Sequence, residues 1–220
     1  IPISGFSTTK IGETLYKVEM IVFTHITQKN YQSELWAQPV ANQNLLTIKP
    51  SNIEDLNRVN YNLLTPDQYE LNHEEKLLQS TTNRKAINNY QVIEHSAWLQ
   101  SISKYKEFTV PVTIQGNRWF NKNGTLITNK NSQNTQELIP ELTGNVTIKL
   151  NRYFNTSLNL ILNIPTKLLP KMKNSDHINK KTSEFYQFHM NQVRRTRSGE
   201  LNYFDHPLFG VIFKISKVKN

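Results

Sequence analysis

The sequence predicts an α+β domain: a mostly antiparallel sheet of about six to seven strands, with two helices inserted after the first strand and packed on one face. Three observations carry that expectation. Apolar residues recur at every second position in stretches spread along the chain, as in strands with one buried face. Helical spacing is concentrated in one interval, between residues 51 and 82. Most strand-like stretches are joined by short polar connections, which favour antiparallel neighbours.

Residues 1–15 read as a flexible lead-in and 16–218 as one domain. In the first strand Tyr16, Val18, Met20 and Val22 alternate with Lys17, Glu19, Ile21 and Phe23, so the stretch becomes apolar on both faces towards its end. The polar segment from Gln28 to Lys49, with Trp36 and Pro39, reads as a surface loop with an aromatic anchor. Ser51 or Asn52 can cap a helix bearing Ile53, Leu56, Val59 and Leu63. A second helix opens at Thr65-Pro66-Asp67-Gln68, which combines a capping side chain, a proline at the first helical position and a glutamine three residues on; it ends near Thr82 or frays on to Ile87. The period then changes to two over Tyr90–Leu99, Phe108–Ile114, Leu142–Leu150, Leu158–Ile164, Phe185–Arg194 and Phe209–Ile215. Pro111 marks an edge or a bulge, and Leu142–Ile164 is the clearest hairpin. Mobile loops are expected near 117–136 and 165–182.

Composition removes several classes of function. The 220 residues include no cysteine, so a disulfide frame, a thiolate metal site and a thiol nucleophile are all unavailable. No apolar run approaches the roughly 20 residues that span a bilayer. The chain starts at Ile1 without methionine, which implies removal of a signal peptide or a tag. A net charge of +9 favours polyanionic partners. His25, His73, His95, His177, His189 and His206 are not at metal-ligand spacing, and neither a Gly-x-Ser-x-Gly elbow nor a glycine-rich phosphate loop is present. No catalytic residue, metal or cofactor is therefore assigned.

The densest chemistry lies in Arg194-Arg195-Thr196-Arg197-Ser198-Gly199-Glu200-Leu201-Asn202-Tyr203-Phe204-Asp205-His206-Pro207. Arg194, Arg195, Arg197 and Tyr203 are candidate ligand-binding residues, joined by the similar pair Arg152 and Tyr153. Glu200 and Asp205 would repel nucleic-acid phosphates and orient guanidinium forks, leaving donors for a carboxylate ligand. The alternative, arginines fully engaged by Glu200 and Asp205 as surface ion pairs, stands equally on the residues alone. Glu200, Asp205, His206, His95 and Trp98 are assigned structural or orienting roles, with Asp205-His206-Pro207 setting a turn into the last strand.

Four stretches, in order, carry a family resemblance. The segment from Arg194 to Val211 resembles the C-terminal signature of the CsiV family of periplasmic peptidoglycan-binding proteins of Gram-negative bacteria. Tyr16–Phe23 is similar to that family's opening strand, His95-Ser96-Ala97-Trp98 to its His-x-Ala-Trp strand, and Glu141-Leu142-Thr143-Gly144 through Leu150-Asn151-Arg152-Tyr153 to its Glu-Leu-x-Gly…Leu-x-Arg-Tyr strand. Thr196, Asn202 and Phe204 stand where the signature has Met, His and Leu, and Leu99 stands where it has arginine. The resemblance implies a non-enzymatic periplasmic protein, exported by a signal peptide, that binds peptidoglycan and supports wall synthesis. Two alternatives accompany it: a protein-interaction module regulating a peptidoglycan synthase or its lipoprotein activator, and a basic nucleic-acid-binding domain.

Overall fold

Two sheet faces close the core, where the alternation had suggested a sheet covered by helices. The computed structural model describes residues 13–25, 40–41, 62–81, 90–104, 111–127, 137–169 and 184–219. Among these residues, in chain order, the strands are β1 (Thr14–Thr24), β2 (Val40–Ala41), β3 (Asn62–Leu63), β4 (Gln91–Ile102), β5 (Val112–Gln115), β6 (Trp119–Phe120), β7 (Leu126–Ile127), β8 (Ile139–Pro140), β9 (Leu142–Leu150), β10 (Phe154–Pro165), β11 (Phe185–Thr196), β12 (Leu201–His206) and β13 (Phe209–Lys217), with one α-helix, α1 (Asn72–Thr81). The first sheet is five-stranded in the order β12-β13-β1-β4-β3, the second five-stranded in the order β2-β11-β10-β9-β5, and a third has the order β7-β6-β8. Among the described residues every pairing is antiparallel.

This corrects the expected α+β layout of six to seven strands and two helices: the protein is mostly β. Alternation reports that one face of a strand is buried without saying what buries it. Here Val18, Met20 and Val22 of β1, Trp98 of β4, Phe204 of β12 and Phe213 and Ile215 of β13 share one core cluster with Val146 and Ile148 of β9, Leu158, Leu160 and Leu162 of β10 and Met190 of β11. Each such side chain contributes roughly 1.5–3 kcal/mol on leaving water, and the second sheet does what a helical layer was expected to do.

The first expected helix falls on residues 51–61, outside the described ones, and Asn62–Leu63 at its end is a short strand. The second begins later than the sequence suggests. Gln68 Oε1 does accept the Thr65 backbone N–H at 3.0 Å, but this capping box closes only a 3-10 turn over Pro66–Gln68, and α1 starts at Asn72. The hairpin of β9 and β10 forms as the pattern requires, with Leu142 opposite Leu162 and Leu150 opposite Phe154. Within 117–136, β6 and β7 emerge as strands of two residues each, too short to leave an alternating trace.

The helix covers part of the outer face of the first sheet, where an ionic clamp holds it. Glu19, on β1, is buried; its carboxylate accepts the backbone N–H groups of Glu70 and Leu71, each at 2.8 Å, at the entry to α1. His95 of β4 lies between two carboxylates, with Nε2 at 2.9 Å from Glu19 Oε1 and Nδ1 at 2.7 Å from Glu75 Oε2. Carboxylates only accept, so both ring nitrogens carry protons and the imidazole is cationic. Burial alone would lower the His95 pKa, but its hydrogen bonds to Glu19 and Glu75 raise it; burial alone would raise Glu19, but its bonds from His95, Glu70 and Leu71 hold it below the ordinary carboxylate value.

Glu141, between β8 and β9, is only partly compensated. Its Oε2 lies 2.9 Å from Arg118 Nε, yet the two are not aligned as a hydrogen bond, and burial outweighs the nearby guanidinium, pushing the carboxyl up to about 7. A raised carboxyl keeps its proton in the folded state between 4.5 and about 7 while the unfolded chain has released it, so its contribution to stability is lost as pH rises through that window. Replacing Glu141 with glutamine is expected to leave stability at pH 5 near that of the parent and to raise it at pH 8 by about 3 kcal/mol. Denaturant melts at the two pH values check this; an equal shift at both would refute the assignment.

Candidate functional site: a basic tip on the second sheet

Two turns meet at one end of the second sheet because Phe154 pairs with Leu150 on one side and Thr196 on the other. The first turn carries Arg152 and Tyr153; the second carries Arg197 and Glu200, and its reversal uses Gly199 at φ +82°. Tyr153 consequently has two guanidinium groups near its ring, Arg152 Cζ 5.7 Å and Arg197 Cζ 5.9 Å from its centroid, within the range of cation–π attraction. The adjoining row across the outer face is Lys149, Asn155 and Arg195. Arg152, Arg195, Arg197 and Lys149 are exposed. They form a basic surface with an aromatic ring at its centre.

The carboxylates of the same region do not neutralise it. Glu200 lies 3.5 Å from Arg197 with both side chains more than half exposed, a contact that water and salt weaken to a small contribution. Asp205 accepts the Tyr203 hydroxyl at 2.8 Å. The reading in which both carboxylates occupy the arginines therefore loses one of its two partners.

The other candidates are distributed elsewhere. Arg194 extends over the Phe204 ring, 5.5 Å from its centroid, beside a buried hydrogen bond between Thr156 and Thr196 of 2.9 Å. Tyr203 belongs to the outer face of the first sheet, where it stacks on Phe23 at 6.2 Å and 13°. Gly210 lies under that stack, since a Cβ there would come within 2.7–2.8 Å of both rings. Burial, then the Asp205 hydrogen bond, raises the Tyr203 hydroxyl pKa. His206 is tilted against Phe209 at 4.7 Å, and its Nδ1 accepts the Leu208 N–H at 3.2 Å. Burial and then the neighbouring His25 push it down to about 4, so it is neutral near pH 7. Trp98 is a core residue whose Nε1–H donates to Gln100 Oε1 at 3.2 Å, and His95 serves the helix clamp. Among the described residues no group of three or more His, Asp or Glu side chains is placed to hold a metal ion, and no helix is long and apolar enough to cross a membrane.

A family model described as "Peptidoglycan-binding protein, CsiV" matches residues 1–218. The chain belongs to the CsiV family. No curated protein and no solved structure matches it. The peptidoglycan-binding description of CsiV connects the chain to the cell envelope and agrees with the resemblance carried by its four motifs. In this CsiV chain those motifs occupy β1, β4, β9 with its following turn, and β11 through β13. Three of them meet as neighbouring strands of the first sheet, and the Arg152-Tyr153 turn meets the start of the C-terminal signature at the basic tip. Sequence reasoning missed Lys149 as a member of that tip. It also missed the Glu19–His95–Glu75 clamp, whose visible trace is a glutamate set among the apolar residues Val18, Met20 and Ile21 of β1.

Proposed function

We propose that this protein is a non-enzymatic, periplasmic peptidoglycan-binding protein that supports cell-wall synthesis, and that it engages the wall through the basic tip. The single observation that carries the site is Tyr153 with Arg152 and Arg197 near its ring, beside exposed Lys149 and Arg195. Stem peptides present free carboxylates, which guanidinium forks receive with two parallel hydrogen bonds. Sugar rings present flat apolar faces, which a tyrosine ring can cover. Binding is favoured over catalysis because the acid–base groups that the sequence singled out are engaged structurally away from the tip: Asp205 by Tyr203, His206 by the Leu208 N–H and His95 by two carboxylates.

The test is co-sedimentation with purified sacculi. The parent should pellet, with binding falling as salt rises, and Arg152→Ala/Arg197→Ala should reduce affinity by about tenfold or more through loss of charge-assisted contacts, with an unchanged melting temperature. A double variant that pellets like the parent would remove the tip from the binding site.

A second reading, docking to a peptidoglycan synthase or its lipoprotein activator, draws on one observation. Leu201 is 53% exposed and Tyr203 45% exposed on edge strand β12, which leads away from the basic tip. Capture of such a partner from a periplasmic extract after wall digestion would separate this role from wall binding.

A further inference from the structure

The outer face of the second sheet carries a pattern that folding does not require. Strand register sets side chains in rows across the sheet. One row is Thr113, Asn145, Asn159 and Asn191 on β5, β9, β10 and β11. Beside it lies Thr147, Ser157 and Val193, and beyond that Lys149, Asn155 and Arg195, which borders the basic tip. Thr113, Asn159 and Asn191 are exposed and Asn145 is half-buried. Among the described residues these three rows contain no carboxylate.

Asparagine is depleted in strands, where threonine or valine packs better on a pleated surface. Three asparagines in register on adjacent strands, two of them interior to the sheet, work against local preference. Departures of this kind concentrate where a surface has another task. The chemistry of the row indicates which task. Each amide presents a donor and an acceptor in one plane. With strands 4.7–4.9 Å apart, the row forms a line of four neutral hydrogen-bonding side chains about 14 Å long. Such a line selects for neither an anionic nor a cationic polymer. It complements an uncharged chain that offers hydroxyl and acetamido groups at ring-sized intervals.

We propose that this row is a glycan track: it takes the N-acetylated sugar backbone of peptidoglycan, while the adjoining tip takes stem-peptide carboxylates. The inference rests on the peptidoglycan-binding reading above and assigns the ligand's two chemical parts to two neighbouring surfaces.

The experiment uses a chitin hexasaccharide, neutral and free of peptide, alongside intact sacculi. Asn145→Val/Asn159→Val/Asn191→Val raises strand propensity at every site, so it should melt no lower than the parent. It should lose affinity for the hexasaccharide by about tenfold or more, as expected for several lost hydrogen bonds. Arg152→Ala/Arg197→Ala should weaken sacculus binding far more than hexasaccharide binding, because the asparagine row keeps its contacts. If the triple variant fails to fold, Asn159→Thr alone should show about a threefold loss, the scale of one hydrogen bond. Equal hexasaccharide binding by the parent and the folded variant overturns the track. A parent that pellets with sacculi but ignores the hexasaccharide overturns the track and leaves peptidoglycan binding standing, whereas a parent that does not pellet overturns both.

Discussion

Replacing Glu19 with alanine is expected to destabilise the protein by about 3–5 kcal/mol, the usual consequence of removing one member of a buried, hydrogen-bonded ion pair. Two backbone N–H groups, of Glu70 and Leu71, lose their acceptor at the entry to α1, and His95 is left cationic with Glu75 alone. Against a total stability of about 5–15 kcal/mol for a domain, this is a large fraction. Glu19→Gln keeps an acceptor oxygen and should lose much less. The clamp also dictates a pH window. His95, with its pKa raised, contributes fully below the ordinary histidine value and loses that contribution as pH rises through its folded-state value; Glu19, with its pKa lowered, contributes above the ordinary carboxylate value and loses it as pH falls through its own. Urea titrations of the parent and both variants test this, and an alanine variant within 1 kcal/mol of the parent, roughly the contribution of a single ordinary hydrogen bond, would show the clamp to be ornamental.

Gly144→Ala is expected to be the most disruptive single methyl addition in the second sheet. Gly144 has φ +150°, and a Cβ there would come within 2.1 Å of the Asn159 carbonyl oxygen and 2.8 Å of Leu160 Cα. Those are backbone atoms of the neighbouring strand, so no rotamer change relieves the overlap. Backbone strain and overpacking together amount to about 4 kcal/mol. Relief would require β9 and β10 to separate where Gly144 faces Leu160, one position from the pair Asn145 and Asn159. The expected result is a sharp drop in soluble yield and in melting temperature. A variant that melts within about 2 °C of the parent, a shift of about 0.5–1 kcal/mol for a domain of this size, would refute the prediction.

Several features were legible from the chain because their causes are local. The hairpin from Leu142 to Ile164 shows its alternation on both sides of a polar turn, and the last strand shows it from Phe209 to Ile215. The start of α1 was misplaced because its determinant is distant. The Thr65–Gln68 capping pattern is satisfied within a single 3-10 turn, while the N–H groups at the entry to α1 are held by a carboxylate on β1. β6, β7 and β8 have two residues each, and no periodicity exists at that length. The candidate site was half legible. Arg152, Tyr153, Arg195 and Arg197 come together at the tip, but Tyr203, six residues from Arg197, lies on the outer face of the other sheet because the chain crosses from β11 to β12 between them.

The sequence by itself determined where most of the longer strands lie, that no cysteine chemistry operates, that the chain is basic, and that its ordered motifs are those of the CsiV family. These depend on residue type and short-range spacing, which a linear chain displays directly. The tertiary structure alone decided that a second sheet closes the core, that Arg152 and Arg197 share Tyr153, and that three asparagines from separate strands form one row. Each of those outcomes depends on strand register and on which apolar face meets which, and both are settled only when distant segments pack together.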